Sequence, residues 1–143
     1  MNTLDPGAAD AHVLEMLQRL RAAEKEQALY YRSLAVEAEA AGDAALAQRF
    51  HDLHADEQHH LSRLTARLLE LGAAPADLAA VRAPERSLAE WEPDARRREQ
   101  DEIRHYEVAL VGGMDAETRA ILEQILESER AHARELGGKW MPA

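Results

Sequence analysis

The sequence predicts an all-α protein, one domain over residues 1–143, folded as a four-helix bundle with one long crossover between its second and third helices. Three observations carry this. Ala, Leu, Glu and Arg dominate while aromatics make up only 4%, a composition that favours helices packed through small and unbranched side chains. Apolar residues recur at helical spacing in four segments. The connections between those segments run short, long, short, the pattern of a bundle with a single crossover.

Residues 1–9 (MNTLDPGAA) combine Pro and Gly without periodicity and read as a frayed start, with Asp10 suited to cap a first helix over about 10–41. Gly42 then offers a stop and Asp43 a cap, so a second helix is expected over about 44–71, ending before Gly72. The turn is short, which makes the two helices antiparallel neighbours. From Gly72 to about Trp91 the chain carries prolines and only short apolar clusters, as a crossover would. Pro93 and Asp94 suit the start of a third helix, about 94–111, which Gly112 and Gly113 interrupt. Asp115 caps a fourth, about 115–136, before Gly137 and Gly138, and the tail KWMPA stays unassigned.

Charge and composition exclude several classes of function. A formal net charge of -10 argues against nucleic acid as a partner, and the nearest basic cluster, Arg96 to Arg98, is short. There is no apolar stretch of membrane-spanning length and no apolar leader, so the expectation is a cytoplasmic protein without a membrane partner. With no Cys, any metal must be held by carboxylate and imidazole.

An internal repeat picks out such groups. Fourteen residues after Asp43 comes Glu57, with His60 three further on; fourteen after Asp115 comes Glu129, with His132 three further on. The first and third helices share another pattern, Glu24 with Tyr31 and Glu99 with Tyr106, each pair seven residues or about two turns apart on one face. Glu57 falls in the middle of the apolar stripe Phe50, Leu53, Leu61, Leu64 and Leu68. Glu129 sits likewise among Leu122, Ile125 and Leu136, and Glu24 among Leu17, Leu20 and Leu34. Four carboxylates therefore converge on one interior, where each would be costly to desolvate if ionised and unpaired, and where they repel one another. No inward Lys or Arg is expected at these levels. Two divalent cations would neutralise the four, and one Glu from each of two helices plus Glu-x-x-His from the other two is the arrangement of di-iron and di-manganese carboxylate bundles.

The spacing from Glu24 through Tyr31 and Gly42 to Glu57 and His60, followed by a long crossover and a second such half, resembles the ferritin-like domain of rubrerythrins, over about residues 10–136. The resemblance implies two iron ions per chain, bridged by Glu57 and Glu129, capped by Glu24 and Glu99, and bound once each by His60 and His132. Glu102, three residues after Glu99, matches the additional glutamate of rubrerythrins, which bacterioferritins lack, and the resemblance implies that it too is a metal ligand, exchanging with a histidine as the iron changes oxidation state; Gln27 stands at the equivalent place in the first helix. The activity implied is reduction of hydrogen peroxide, with Glu102, Tyr31 and Tyr106 as residues linked to the redox step, in a homodimer. Since the chain has no Cys for a rubredoxin domain, electrons would come from an external donor protein. A ferroxidase or iron-handling protein using oxygen, a di-manganese catalase, and a non-catalytic helical module stabilised by another divalent metal are the alternatives.

The remaining histidines carry less. Glu102 and His105 form a third Glu-x-x-His pair, but His105 lies about 120° around its helix from Glu99 and should face outward. His54 is expected to pack beside the site rather than to ligate, and His12, His51 and His59 to be solvated.

Overall fold

The structure, a computed structural model, describes residues 6–136, with side chains from residue 11 onward. Its order is α1 (Pro6–Ala40), α2 (Ala44–Glu70), a short 3-10 turn (Leu88–Glu90), α3 (Trp91–Val111) and α4 (Ala116–Arg134). α1 packs on α2 and α3 on α4, while α1 also meets α3 and α2 meets α4. The four helices thus enclose one interior, as the pattern of connections predicts.

Helix α1 begins at Pro6, four residues before the expected cap at Asp10. Proline fits the first turn of a helix because its φ is already helical and its missing N–H needs no partner there. The stop at Gly137 and Gly138 and the tail KWMPA lie outside the described residues. The third helix starts at Trp91 rather than Asp94, with Pro93 and Asp94 inside its first turn.

Two glycines make the helix ends. Gly42 and Gly72 adopt φ of 77° and 83°, a left-handed conformation that side chains with a Cβ disfavour. In each case the glycine N–H and the next N–H turn back onto carbonyls of the last helical turn, Glu39 and Ala38 for α1, Leu69 and Leu68 for α2. Asp43 and Asp115 then cap the following helices, their carboxylates accepting from the N–H groups of Leu46 and Thr118.

The crossover runs along α1. The side chain of Gln18 both donates to the Ala74 carbonyl and accepts from the Ala76 N–H, each at 3.0 Å, while Arg21 donates to the Ala76 carbonyl at 2.6 Å. Further on, Leu88 and Trp91 pack against the core, with Trp91 edge-on to Phe50 at 4.9 Å between ring centres. The buried Arg67 closes the other end, where it donates to Thr118, Glu70, Glu117 and Asp115 and so ties α2 to the start of α4.

The core is divided in two. One apolar cluster holds Tyr30, Tyr31, Leu34, Ala38, Phe50, Leu53 and Leu136, the other Met16, Leu17, Leu20, Leu64, Leu68, Tyr106, Leu122 and Ile125. The buried carboxylates lie in the helix stretches between these clusters. Among the described residues no helix is long and apolar enough to cross a membrane.

Candidate metal centre

Each helix contributes one glutamate with 0% exposure: Glu24 from α1, Glu57 from α2, Glu99 from α3 and Glu129 from α4. His60 and His132 follow Glu57 and Glu129 by one helical turn and are buried beside them. The structure brings all six together in two overlapping groups. Glu24, Glu57, His60 and Glu129 form one, and Glu57, Glu99, Glu129 and His132 the other; within each, one ligand atom per residue lies within 4.8 Å of the rest.

Glu57 and Glu129 belong to both groups, and their oxygens show why. Glu57 Oε1 is 3.0 Å from His60 Nδ1 and its Oε2 is 4.0 Å from His132 Nδ1. Glu129 mirrors this, with Oε1 3.1 Å from His132 Nδ1 and Oε2 3.9 Å from His60 Nδ1. Each of these carboxylates therefore offers one oxygen to each imidazole. Glu24 lies 3.5 Å from His60 Nδ1 and Glu99 3.6 Å from His132 Nδ1, so each caps one side.

The tyrosines act crosswise. Tyr31 on α1 donates at 2.6 Å to Glu99 Oε2 on α3, and Tyr106 on α3 donates at 2.6 Å to Glu24 Oε2 on α1. The seven-residue offset within one helix thus reflects a bond made to the other helix. Gln27 adds a second donor to Glu99 Oε2 at 3.1 Å and is itself held by Arg98. Burial first, then the neighbouring carboxylates, pushes both phenols well above their usual range, so they remain donors.

The electrostatics are those of a site that seeks positive charge. Burial, followed by repulsion from Glu129, Glu24 and Glu99, holds Glu57 well above the usual carboxylate range. Glu129 is raised the same way, by burial and by Glu24 and Glu99. Burial would also raise Glu99, but hydrogen bonding and attraction to His132, with donation from Tyr31 and Gln27, outweigh it and bring Glu99 below its ordinary value. His132 is opposed by burial yet pushed up to about 12 by Asp56, Glu129 and Glu99, so a proton stays on it. That proton marks where a cation is wanted. Arg49 on α2 is partly buried, pairs with Glu135, and is lowered in basicity by burial, which the charges of Asp52, Asp56 and Glu99 oppose.

A metal pair fits this set of donors. Glu24 Oε1, Glu57 Oε2, Glu99 Oε1 and Glu129 Oε2 are buried without a hydrogen-bond partner, a costly state that a coordinated cation relieves. Hard carboxylate oxygens with two imidazoles suit iron, manganese or another divalent ion of that kind. Glu102 stands in neither group, although it too is buried and its Oε2 is unpartnered.

Asp56 escapes a reading of the sequence. Only one residue before Glu57, it reaches across to α4, where its Oδ2 is 2.9 Å from His132 Nε2. A carboxylate on the far nitrogen turns the other nitrogen inward and makes it a better ligand. Asp56→Asn should weaken metal binding about 10–100-fold while the fold persists, which calorimetric titration with a divalent ion would measure; native affinity in this variant would remove Asp56 from the site. The position opposite on α4 is Ser128, so the repeat gives no hint of it. His105 is half-exposed, His54 bonds to the Ala28 carbonyl at 2.9 Å, and His12, His51 and His59 are exposed, each as expected.

No protein-family model and no curated protein matches the chain. Solved structures do match. A bacterioferritin from Desulfovibrio desulfuricans, described by its diiron site in different catalytic states, superposes with a TM-score of 0.86 at 22% identity, over 96% of this chain and 82% of its own. A bacterioferritin of Mycobacterium tuberculosis gives a TM-score of 0.80 at 22% identity, over 89% of this chain and 82% of its own. One from Rhodobacter capsulatus, described with a metal-free dinuclear site and haem iron, gives 0.77 at 24% identity, again over 89% and 82%. What these likenesses establish is architecture: the chain has the ferritin-like four-helix bundle fold.

Proposed function

We propose that this chain handles iron, holding two iron ions between its helices and promoting the oxidation of ferrous iron. The observation that carries the reading is the sharing of Glu57 and Glu129 between two four-residue groups. The likeness to bacterioferritins, one of them described by a diiron site in different catalytic states, supports iron handling over the peroxide reduction that a rubrerythrin resemblance implies.

Two iron ions, when bound, supply two electrons to one oxidant molecule. The chain's own residues set the conditions for this. Glu57 and Glu129, each turned toward both imidazoles, would fix the spacing of the pair. Tyr31 and Gln27 hold Glu99, and Tyr106 holds Glu24, by one oxygen, which leaves Oε1 of each free to ligate. The apolar clusters on either side keep water out and strengthen every charge interaction in the site. Assembly as a homodimer belongs to the same reading.

Anaerobic addition of ferrous ion followed by oxygen tests it. Oxidation should show a first phase that saturates at two ions per chain, then continue as more ferrous ion is added. Oxidation no faster than in protein-free buffer would reject the proposal. One observation favours a second reading, peroxide reduction fed by a donor protein: Glu102 is a further buried carboxylate with a free oxygen. On that reading the reduced protein reacts faster with hydrogen peroxide than with oxygen and consumes no ferrous ion beyond the first two.

A further inference from the structure

Between α1 and α3 lies a cavity of about 220 Å³, lined by Ala23, Glu26, Gln27, Arg98, Asp101, Glu102 and His105. The exposed Glu26 and Asp101 stand toward solvent, and Glu102 is 6% exposed. Glu102 Oε1 is 3.7 Å from Nδ1 of the half-exposed His105, and its Oε2 has no hydrogen-bond partner. Arg98 in the same lining is paired with Glu26 at 3.0 Å, which leaves Asp101 and the buried Glu102, with its free oxygen, as carboxylates that a further cation would suit.

Its position points inward. Glu102 lies one helical turn before Tyr106, whose hydroxyl touches Glu24 at 2.6 Å, so it shares a helix face with the tyrosine that holds Glu24. The pseudo-equivalent position on α1 is closed. There Gln27 is neutral, donates to Glu99, and is covered by the guanidinium of Arg98, which also pairs with Glu26 at 3.0 Å. Gln27 and Glu102 both lie in the wall of the same cavity, where the Arg98 charge is already met by Glu26, so Asp101 and Glu102 are the carboxylates left to receive a cation.

We propose that Glu102 and His105 form a loading site for divalent cations, which takes an ion from the solvent side at Asp101 and delivers it to Glu24. The site has two protein ligands and leaves the rest of the ion's shell to water, so it holds its cargo weakly and passes it on, in contrast to the closed groups within. This inference rests on the two-metal reading of the centre.

Uptake of cobalt(II) by the full-length protein, followed by its visible absorption in stopped flow and by the equilibrium stoichiometry, tests it. The native protein should take up two cobalt ions per chain. Glu102→Gln should still bind two at equilibrium but load them about tenfold or more slowly, as expected when a charged approach to a site is lost. The exposed double variant Asp101→Asn with His105→Gln, which leaves the core untouched, should load about threefold more slowly or worse at the same stoichiometry. Native loading rates in either variant overturn the proposal. Loss of one of the two ions in Glu102→Gln also overturns it, because Glu102 is then a resident ligand. A native protein that binds no cobalt fails the two-metal reading itself, which is a separate outcome.

Discussion

Replacing Glu57 with Ala is expected to abolish binding of both metal ions together, and Glu129→Ala to do the same. Each carboxylate presents one oxygen to His60 and the other to His132, so removing either takes a ligand from both positions at once. Loss of an outer partner alone typically weakens a metal site about 10–100-fold, so loss of a shared ligand should exceed about 100-fold at each position. Glu24→Ala provides the contrast. Glu24 belongs to only one of the two groups, so this variant should keep the ion on the side of Glu99 and His132 and lose mainly the other. Metal analysis after dialysis distinguishes the patterns. Two ions retained in Glu57→Ala would show that Glu57 bridges nothing.

The second large effect is an opposite dependence of stability on pH with and without metal. In the metal-free protein, burial and mutual repulsion hold Glu57 and Glu129 above their unfolded values, and burial does the same to Glu102. Groups raised in this way stabilise the fold below their unfolded pKa and lose that contribution as pH rises through the folded one. His132, pushed up to about 12, follows the same sign. The metal-free bundle should therefore melt at a higher temperature near about pH 5 than near about pH 7.5. Glu99 and Asp56 are lowered, so their contribution is present above the unfolded values and fades only in stronger acid, where the trend should reverse. The loaded protein should behave oppositely between neutrality and about pH 5, since protons compete with the metal for the same carboxylates and imidazoles. Scanning calorimetry of both forms across this range checks the claim, and parallel slopes would contradict it.

The fold was legible because its signals are local. Gly42 and Gly72 stop helices by backbone geometry and Asp43 and Asp115 start them by capping, so four helices and the long crossover can be read within a few residues. Six site residues were legible for a related reason: a charged side chain at the centre of an apolar stripe is conspicuous, and the repeat marked it twice. What escaped involves distance across the bundle. That Tyr31 serves Glu99 rather than Glu24, or that Asp56 on α2 meets His132 on α4, depends on how helices sit against one another, about which periodicity along one helix is silent. The weight placed on Glu102 had the same weakness. Its presence matched a rubrerythrin pattern along the chain, but in the structure Glu102 lies outside both groups and lines a cavity.

The central claim is a two-metal centre bridged by Glu57 and Glu129. Anomalous diffraction at the iron absorption edge, from crystals of protein loaded with ferrous ion without oxygen, tests it most directly. The account predicts two peaks about 3.5–4 Å apart, with Glu57 and Glu129 between them, one beside His60 and Glu24 and the other beside His132 and Glu99. A single peak, or iron bound only at surface carboxylates, would contradict it.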